Sequence, residues 1–354
     1  MYNESPLVLE MIRDSIQQDA ERRRKAAKAG EAPKPEPAEN LFTIHTANRW
    51  MQIQSAQPEA KMLFGSFWQQ NELCILFADT NLGKSILAVQ LGHEISRGNS
   101  VQPFANNSKP ANVLYMDFEL SPKQFQMRYN EGHASHNFAE GLFRAEFNPQ
   151  AQMPPQFKTF EQYINSAIEC AVQRTGASVL IIDNISCLRS GSNEHSNEAL
   201  ALMKHLKSLK SRHNLSILVL AHSPKRNPAN PITRNDLQGS KMLMNFADSA
   251  FAMGQSNAGP DMRYLKQLKQ RGSRETYGTE NVAVFQLQKQ YGYLRFIFSA
   301  YAHEFEHLRR NSHEQRSHLY QQATQLRANG LSQRKIAAQL KIGLSTVNKL
   351  LNWR

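Results

Sequence analysis

The stretch "LFADTNLGKSILAVQL", Leu76 to Leu91, decides the fold of this chain. An apolar strand-like run leads into Gly83, Lys84 and Ser85, and apolar residues at helical spacing follow. This arrangement predicts a phosphate-binding loop, because backbone N–H groups at a helix N-terminus attract phosphate oxygens. Ala78 stands where such loops usually have their first glycine. It restricts the loop only if position 78 needs a positive φ.

The residue types of this loop indicate ATP and Mg²⁺ as cofactors. Gly83 permits close approach of the backbone, Lys84 supplies charge for the β- and γ-phosphates, and Ser85 supplies a hydroxyl for the metal ion. A buried strand, "SVLIIDN", ends further along in Asp183, whose carboxylate can hold the water shell of Mg²⁺. The candidate nucleotide contacts are Asn81, Gly83, Lys84, Ser85, Ile86 and Asp183, and the candidate metal ligands are Ser85 and Asp183.

Hydrolysis also requires a base that orients the attacking water. The residue after Asp183 is Asn184, which is not an acid, so the base must come from another segment. The strand-like run "NVLYMDF" follows the helix of the loop, and Asp117 and Glu119 lie at its end. The residues alone leave both carboxylates as candidates.

Alternating apolar runs and helix-length segments predict an α/β domain with a mostly parallel central sheet and ligand-binding loops at the strand ends. The first four runs are nearly continuous in apolar residues, which favours central parallel strands. The later four are shorter and alternate, which favours an antiparallel extension. The predicted strands are "ELCILFA", "NVLYMDF", "SVLIIDN", "LSILVLAH", "SAFAMG", "YLKQLKQ", "VAVFQLQ" and "LRFIF", between residues 72 and 298.

We expect three regions: residues 1–40, an ATPase domain at 41–300, and a basic linker with a small all-α domain at 301–354. In the first region, residues 7–29 predict a helix with an apolar stripe, and "EAPKPEPAEN" is a proline-rich linker that cannot join a packed core. The stripe either docks on a neighbouring subunit or belongs to a frayed tail.

The last region, "LRANGLSQRKIAAQLKIGLSTVNKLLNWR", has the spacing of a helix-turn-helix and resembles the resolvase and LuxR variety. Gly330 ends one helix, Ser332 caps the next, and a turn at "KIG" precedes the last helix. A three-helix unit that docks on protein has the same pattern. The apolar positions expected inside are Ile336, Leu340, Val347, Leu350 and Leu351, and the residues expected to face DNA are Ser345, Thr346, Asn348 and Lys349.

The net charge of +12 comes from 42 Lys and Arg against 30 Asp and Glu. Residues 301–354 hold nine of these basic and three of these acidic residues, so half of the excess lies there. A basic tail suits a polyanion such as DNA, although a solvated helical face has the same pattern. Three widely spaced cysteines, no signal-peptide pattern and no apolar run of about 18 residues predict a cytoplasmic protein without a membrane segment.

The stretch "HEFEHLRRNSH", His303 to His313, fits the zinc-protease pattern H-E-x-x-H, with Glu304 as the base. However, Arg310 replaces the glycine that metzincins have after the motif, and no methionine follows Met262 to form a Met-turn. We therefore expect a polar linker helix here.

Three segments resemble hexameric replicative helicases of the DnaB type, over about residues 65–298. "FELSPKQFQMR" resembles the segment with their catalytic glutamate, and "LKQLKQRGS" resembles the late strand that reaches the neighbouring subunit. The segment from "IIDNISCLRSGS" to "LSILVLAHSPKR" resembles their Walker B strand, DNA loop and sensor strand. Plasmid-encoded RepA-like helicases and the wider RecA-like ATPases share the likeness, which implies a RecA-like P-loop core in a hexameric ring.

The resemblance also implies the roles of single residues. Glu119 would be the general base, His222 would sense the γ-phosphate, and Lys269 and Arg271 would act on the ATP of a neighbouring subunit together with that subunit's Lys84. An ordinary strand-end histidine and solvent-facing charges are the alternatives. The large N-terminal domain of bacterial replicative helicases has no counterpart here, so loading and primase functions are not expected.

The resemblance further implies that loops 188–197 and 223–236 face DNA. The second loop holds Lys225, Arg226 and Arg234, which suit a phosphate backbone, whereas a plain surface loop is the alternative. We expect a helicase or translocase of a plasmid or mobile element, acting on single- or double-stranded DNA. A second hypothesis is a non-translocating ATP-dependent regulator of replication initiation, recombination or mobilisation, which the helix-turn-helix favours.

Overall fold

The computed structural model describes residues 42–132, 134–188, 196–237, 241–309, 312–340 and 342–351. The chain divides into two units, Met1–Glu59 and Ala60–Arg354. In its described part the first unit has one helix, α1 (Ala47–Ser55), and the Thr46 hydroxyl caps it by accepting a hydrogen bond from the Arg49 N–H at 3.2 Å. The predicted helix at 7–29 and the linker at 31–40 lie outside the described residues.

The described part of the second unit contains thirteen strands, nine of which form one large sheet. The strands are β1 (Met62–Phe64), β2 (Trp68–Gln69), β3 (Leu73–Ala78), β4 (Val113–Asp117), β5 (Asn130–Glu131), β6 (Ala134–Ser135), β7 (Leu142–Ala145), β8 (Val179–Asp183), β9 (Ser216–His222), β10 (Ser249–Gln255), β11 (Met262–Gln270), β12 (Val282–Gln290) and β13 (Tyr293–Ala302). The large sheet has the order β13-β12-β11-β10-β3-β9-β8-β4-β7.

The sheet confirms the predicted mixed α/β fold with a mostly parallel centre. Strands β10, β3, β9, β8, β4 and β7 are parallel, and β11, β12 and β13 continue the sheet in antiparallel fashion. All eight predicted strands are present. The expected antiparallel direction was wrong for "SAFAMG", because β10 pairs with β3 in parallel and turns back only at β11. The short β7 was not predicted.

Helices cover both faces of the parallel strands. In β3, Leu73, Ile75 and Phe77 join a core cluster with residues of α4 (Phe160–Thr175) and α5 (Ser196–His213), while the alternate residues join a second cluster with α2 (Lys84–Arg97). Burial on both faces explains why the central strands are continuous apolar runs. The helices are α2 (Lys84–Arg97), α3 (Pro122–Arg128), α4 (Phe160–Thr175), α5 (Ser196–His213) and α6 (Lys241–Phe246).

The C-terminal segment forms α7 (Ser312–Ala328), α8 (Gln333–Leu340) and α9 (Leu344–Leu351) around a small core of Ala323, Ile336 and Val347. Gly330 adopts a positive φ of 83° after α7, and the Ser332 hydroxyl accepts a hydrogen bond from the Lys335 N–H at 3.4 Å. The break between α8 and α9 falls at the predicted "KIG" turn, of which Lys341 lies outside the described residues. Leu350 is buried, and Leu340 and Leu351 pack against the core.

The segment around Glu304 forms a 3-10 turn, Glu304–Glu306, instead of the expected linker helix. Glu304 is fully buried, and its carboxylate pairs with the Lys266 ammonium at 2.5 Å and accepts a hydrogen bond from the Ile232 N–H at 2.8 Å. His303 is exposed, whereas His307 is buried with its Nδ1 2.6 Å from the Ser256 hydroxyl. Glu304 is thus engaged in a structural ion pair.

Two further properties concern the described ranges as a whole. No helix in them combines the length and apolar character that crossing a bilayer requires. No group of three or more His, Cys, Asp or Glu side chains in them is arranged to hold a metal ion.

Candidate nucleotide-binding site

The loop between β3 and α2 lies at the carboxyl ends of the parallel strands. Ala78 is the last residue of β3, in extended backbone, so the missing glycine imposes no strain. The positive φ values of the loop fall instead on Asn81, at 61°, and on Gly83, at 100°. A Cβ at Gly83 would come within 2.7 Å of Phe296 Cζ. Glycine is therefore required at the position that the sequence assigned to close backbone approach.

Arg263 in β11 holds this loop from behind. Its Nε donates a hydrogen bond to the Leu82 carbonyl at 3.0 Å, and its Nη1 donates to the carbonyls of Pro260 and Met262 at 2.6 and 2.9 Å. Because a trans peptide points its C=O and N–H in opposite directions, the contact at Leu82 fixes the direction of the Gly83 N–H. Sequence reasoning missed Arg263, which no motif marks.

Lys84 is 6% exposed and reaches back over the loop. Its ammonium donates to the carbonyls of Ala78 at 3.1 Å and Asp79 at 3.0 Å, and its third N–H faces His222 Nδ1 at 3.3 Å. Burial lowers the pKa of Lys84, and the carboxylates of Asp183, Glu119 and Asp79 oppose this shift. One N–H of the ammonium is thus directed away from the backbone of the loop.

Asp183 and Ser85 lie together beside Lys84. Asp183 is buried at the end of β8, its Oδ2 accepts a hydrogen bond from the Tyr115 hydroxyl at 2.7 Å, and the Ser85 side chain also hydrogen-bonds to it. Burial raises the pKa of Asp183 to about 6. A carboxylate and a hydroxyl, completed by substrate phosphates and water, form a ligand set that suits Mg²⁺. These two residues therefore fit the expected metal.

The structure separates the two carboxylates at the end of β4, Asp117 and Glu119. Asp117 is buried, its Oδ1 accepts hydrogen bonds from the N–H groups of Glu119 and Leu120 at 3.1 and 2.9 Å, and its Oδ2 pairs with Arg144 at 3.0 Å. The Glu119 side chain is 41% exposed and lies 3.4 Å from His222 Nε2. Asp117 builds the turn, and Glu119 is the carboxylate left at the site.

His222, at the end of β9, stands between Lys84 and Glu119. A hydrogen bond with His222 is the largest cause that lowers the pKa of Glu119, and the Asn184 side chain lowers it further. Asn184 donates from its amide to Glu119 and lies 2.9 Å from His222 Nε2. Sequence reasoning set Asn184 aside because it is not an acid, although its position directly after Asp183 was a usable signal.

Lys269 and Arg271 lie at the opposite end of the strands from the phosphate loop. Lys269 pairs in register with Ala250, which pairs with Ile75 near the start of β3, whereas Lys84 follows the end of β3. The Lys269 ammonium donates to the carbonyl of Met244 at 2.6 Å, and both side chains donate to the carbonyl of Asn245 at the end of α6. Burial and then Arg271 lower the pKa of Lys269 to about 8. Neither residue contacts the loop of its own chain.

The three basic residues of loop 223–236 differ in exposure. Lys225 is exposed, whereas only 10% of the Arg226 side chain is exposed and its Nε lies 3.8 Å from Asp79 Oδ2. Arg234 pairs with Glu275 at 2.9 Å and donates to the Leu268 carbonyl. Most of the other expected DNA loop, residues 189–195, lies outside the described residues.

The residues of α9 that were expected to face DNA are all exposed. Val347 and Leu350 of the same helix are buried in the small C-terminal core. The exposed set is Ser345, Thr346, Asn348 and Lys349.

The comparison with known families agrees with the position of this site. A family model described as AAA domain matches residues 35–228, which is more than half of the chain. The matched range contains the phosphate loop, Glu119, Asp183 and His222. No curated protein matches the chain.

Proposed function

The chain belongs to the AAA domain family of P-loop ATPases, and from this premise we propose that it is an ATP-driven DNA helicase or translocase. The proposal includes a hexameric ring and an origin in a plasmid or another mobile element. One observation carries it: Lys84 follows the carboxyl end of β3, whereas Lys269 and Arg271 lie at the opposite end of the strands, near the start of β3. Residues so arranged can meet at one phosphate only when two chains meet.

Within one chain, the proposed hydrolysis uses the cluster around Lys84. The N–H of Lys84 that now faces His222, together with the backbone N–H groups from Asn81 to Ile86, binds phosphate oxygens. Ser85 and Asp183 would hold Mg²⁺, which supplies positive charge to the β- and γ-phosphates. Glu119 orients and activates the attacking water. His222 lies within 3.4 Å of both Lys84 and Glu119, so it can report the presence of the γ-phosphate to the base.

Between chains, we propose that Lys269 and Arg271 act on the γ-phosphate of the neighbouring subunit. Their present hydrogen-bond acceptors are backbone carbonyls at the end of α6, which carry only partial negative charge, and Arg271 Nη1 also lies 3.7 Å from Asp248 Oδ1. A phosphate is a stronger acceptor for a guanidinium than a carbonyl. A cation supplied across an interface accelerates phosphoryl transfer by about 10³–10⁵-fold, so turnover depends on assembly.

For DNA contact, we propose two surfaces. Lys225 is exposed in loop 223–236, and Arg234 lies in the same loop with its guanidinium shared between Glu275 and a carbonyl. The exposed face of α9 offers hydroxyl, amide and ammonium groups that can meet base edges or phosphates in a helix-turn-helix. This module specifically favours the second candidate, a non-translocating ATP-dependent DNA-binding regulator, since a processive motor needs no choice of sequence.

A forked-duplex unwinding assay with ATP tests the first function against the second. Unwinding by the wild type that disappears in Lys84→Ala supports the motor. ATP hydrolysis without strand separation refutes the motor and supports the regulator.

Mixing variants tests the cross-subunit roles. Arg271→Ala and Lys84→Ala should each be inactive alone, and the mixture should regain part of the ATPase activity through hybrid interfaces. Lys109→Ala, which removes an exposed cation from another loop, is the matched control and should keep full activity. Full activity in Arg271→Ala alone would refute the role of that residue.

A further inference from the structure

Arg226 is adjacent in sequence to an exposed cation but points inward. Its Nε lies 3.8 Å from Asp79 Oδ2, its Nη1 donates to the Asn230 carbonyl at 2.9 Å, and its guanidinium hydrogen-bonds to the Tyr264 hydroxyl. These partners occupy the guanidinium in three directions and leave 10% of the side chain exposed. Lys225, in contrast, is exposed. A phosphate backbone can reach Lys225 without rearrangement, whereas Arg226 is directed at the phosphate loop.

The residues that loop 223–236 contacts are the same residues that seat Lys84. The Lys84 ammonium rests on the carbonyls of Ala78 and Asp79, at 3.1 and 3.0 Å. The Ser223 N–H donates to the Ala78 carbonyl at 3.0 Å, and Arg226 approaches the side chain of Asp79. The two carbonyls that accept from Lys84 therefore belong to Ala78 and Asp79, and both of these residues are contacted by the first residues of loop 223–236.

The Asp79 carboxylate has Arg226 as its ion-pair partner. One carboxylate oxygen, Oδ1, is buried and has no hydrogen-bond partner among the described residues, and the other faces Arg226. A buried carboxylate oxygen without a donor is costly, so loss of the cation beside it favours rotation of the side chain. Because Asp79 also supplies a carbonyl to Lys84, a change in its side chain is transmitted to the ammonium.

We propose that Arg226 is a positioning residue that links loop 223–236 to Lys84 through Asp79. When single-stranded DNA binds the loop, the change is transmitted through Arg226 and Asp79 to Lys84 and alters ATP turnover. Arg226 itself does not bind the DNA. The inference deepens the proposed function and rests on it.

A double-mutant cycle without DNA tests the link. Arg226→Met, Asp79→Asn and the double variant are compared with the wild type for the KM and kcat of ATP hydrolysis. Each single variant should raise KM by at least about 3-fold, and the double variant should be no worse than the poorer single one, because coupled residues are not additive. Multiplicative effects, or unchanged kinetics in Arg226→Met, would overturn the link.

Arg226→Lys separates positioning from mere folding. It keeps the charge near Asp79 but loses the planar fork that reaches Asn230 and Tyr264, so KM should lie between those of the wild type and Arg226→Met. Thermal unfolding of each variant is recorded alongside. A KM that follows only the unfolding temperature, with no difference between Lys and Met at equal stability, would also overturn the proposal.

The second test uses an oligothymidylate as the single-stranded probe. At saturating probe, Arg226→Met should lose most of the stimulation of ATPase activity, while its affinity for the probe stays within about 2-fold of the wild type. Lys225→Ala should bind the probe more weakly and keep its stimulation at saturation. Weaker binding with full stimulation in Arg226→Met would make Arg226 a DNA ligand and refute the proposal, as would a wild type that the probe does not stimulate.

Two outcomes distinguish the loss of ATPase function from the loss of the link alone. A wild type that binds no ATP refutes the proposed function and the link together. If the wild type hydrolyses ATP but the effects of the Arg226 and Asp79 substitutions on KM multiply in the double variant, only the link is refuted.

Discussion

Replacing Glu119 by Gln tests which carboxylate at the end of β4, Asp117 or Glu119, activates water. Asp117 already accepts two backbone N–H groups and pairs with Arg144, whereas Glu119 lies beside His222, which lowers its pKa and keeps it ionised. A positioned general base contributes roughly 10²–10⁴-fold to the rate, or about 3–5 kcal/mol of activation free energy. We expect Glu119→Gln to lower kcat by this factor and to leave ATP affinity nearly unchanged, because the side chain keeps its shape.

Asp117→Asn is the matched control, since it neutralises a carboxylate two residues away. Its main effect should be on folding, because Arg144 would lose the partner of a pair whose carboxylate is fully buried. Breaking such a pair costs up to about 3 kcal/mol when the arginine keeps some exposure, here 18% of its side chain. We therefore expect a lower unfolding temperature for Asp117→Asn and a kcat close to that of the wild type below that temperature.

The assay is phosphate release at saturating ATP, with ATP affinity from calorimetry and stability from thermal unfolding. All three are measured for the wild type and both variants under the conditions that give the wild type its full activity. The assignment is refuted if Glu119→Gln keeps kcat within about 10-fold of the wild type. It is also refuted if folded Asp117→Asn is the variant that loses turnover.

Three further predictions concern the fold around the site. Glu304→Gln should lower the free energy of unfolding by about 3–5 kcal/mol in urea denaturation, because it leaves the Lys266 ammonium buried without its anion. If Glu304 were instead the base of a zinc site, this substitution would leave the free energy of unfolding unchanged. Gly83→Ala should weaken ATP binding at least about 10-fold in calorimetry, because it forces a side chain into a glycine-only φ and towards Phe296, and unchanged affinity would contradict this. Burial lowers the pKa of His93 from 6.5 to about 4, so the folded state favours the neutral ring. The unfolding temperature should therefore fall as the pH decreases from 6.5 towards 4, and His93→Leu should flatten this profile.

The sequence predicted the positions of the strands better than it predicted how they pair in the sheet. The eight predicted strands are apolar runs, and burial on both faces of the central ones makes such runs conspicuous. β7 is a four-residue edge strand, "LFRA", with none of its side chains buried, so it has no such signal. The parallel direction of β10 depends on its partner β3, which lies 170 residues or more away and leaves no local trace.

In the candidate site, too, residues with a local sequence signal could be predicted, whereas contacts between distant segments could not. Gly83, Lys84, Ser85 and Asp183 could be predicted as candidate contacts, because binding of a phosphate and a metal ion requires those residue types at those spacings. The choice between Asp117 and Glu119 required Arg144, which lies on another strand and pairs with Asp117. Local pattern could not supply that contact.

Arg226 shows why charge in a loop does not define its role. In the sequence it is equivalent to Lys225, because both are cations in a polar loop after a strand. The difference arises from the phosphate loop, where Asp79 presents a carboxylate at 3.8 Å, and from the Tyr264 hydroxyl on β11. These partners come from segments far apart in sequence, so only the folded sheet brings them to one guanidinium.

The cations that contact the phosphate loop are already used by the protein itself. Arg263 donates to three carbonyls, Arg226 faces Asp79, and Lys84 gives two of its three N–H groups to the loop. In phosphoryl transfer, negative charge spreads over three oxygens of the γ-phosphate and needs several positive partners. Among the described residues of one chain, one N–H of Lys84 and a bound metal ion would neutralise only part of this negative charge. Lys269 and Arg271, at the end of β11, are held by backbone carbonyls, and Arg271 Nη1 also lies 3.7 Å from Asp248 Oδ1. They are the cations that we propose a second chain brings to this site.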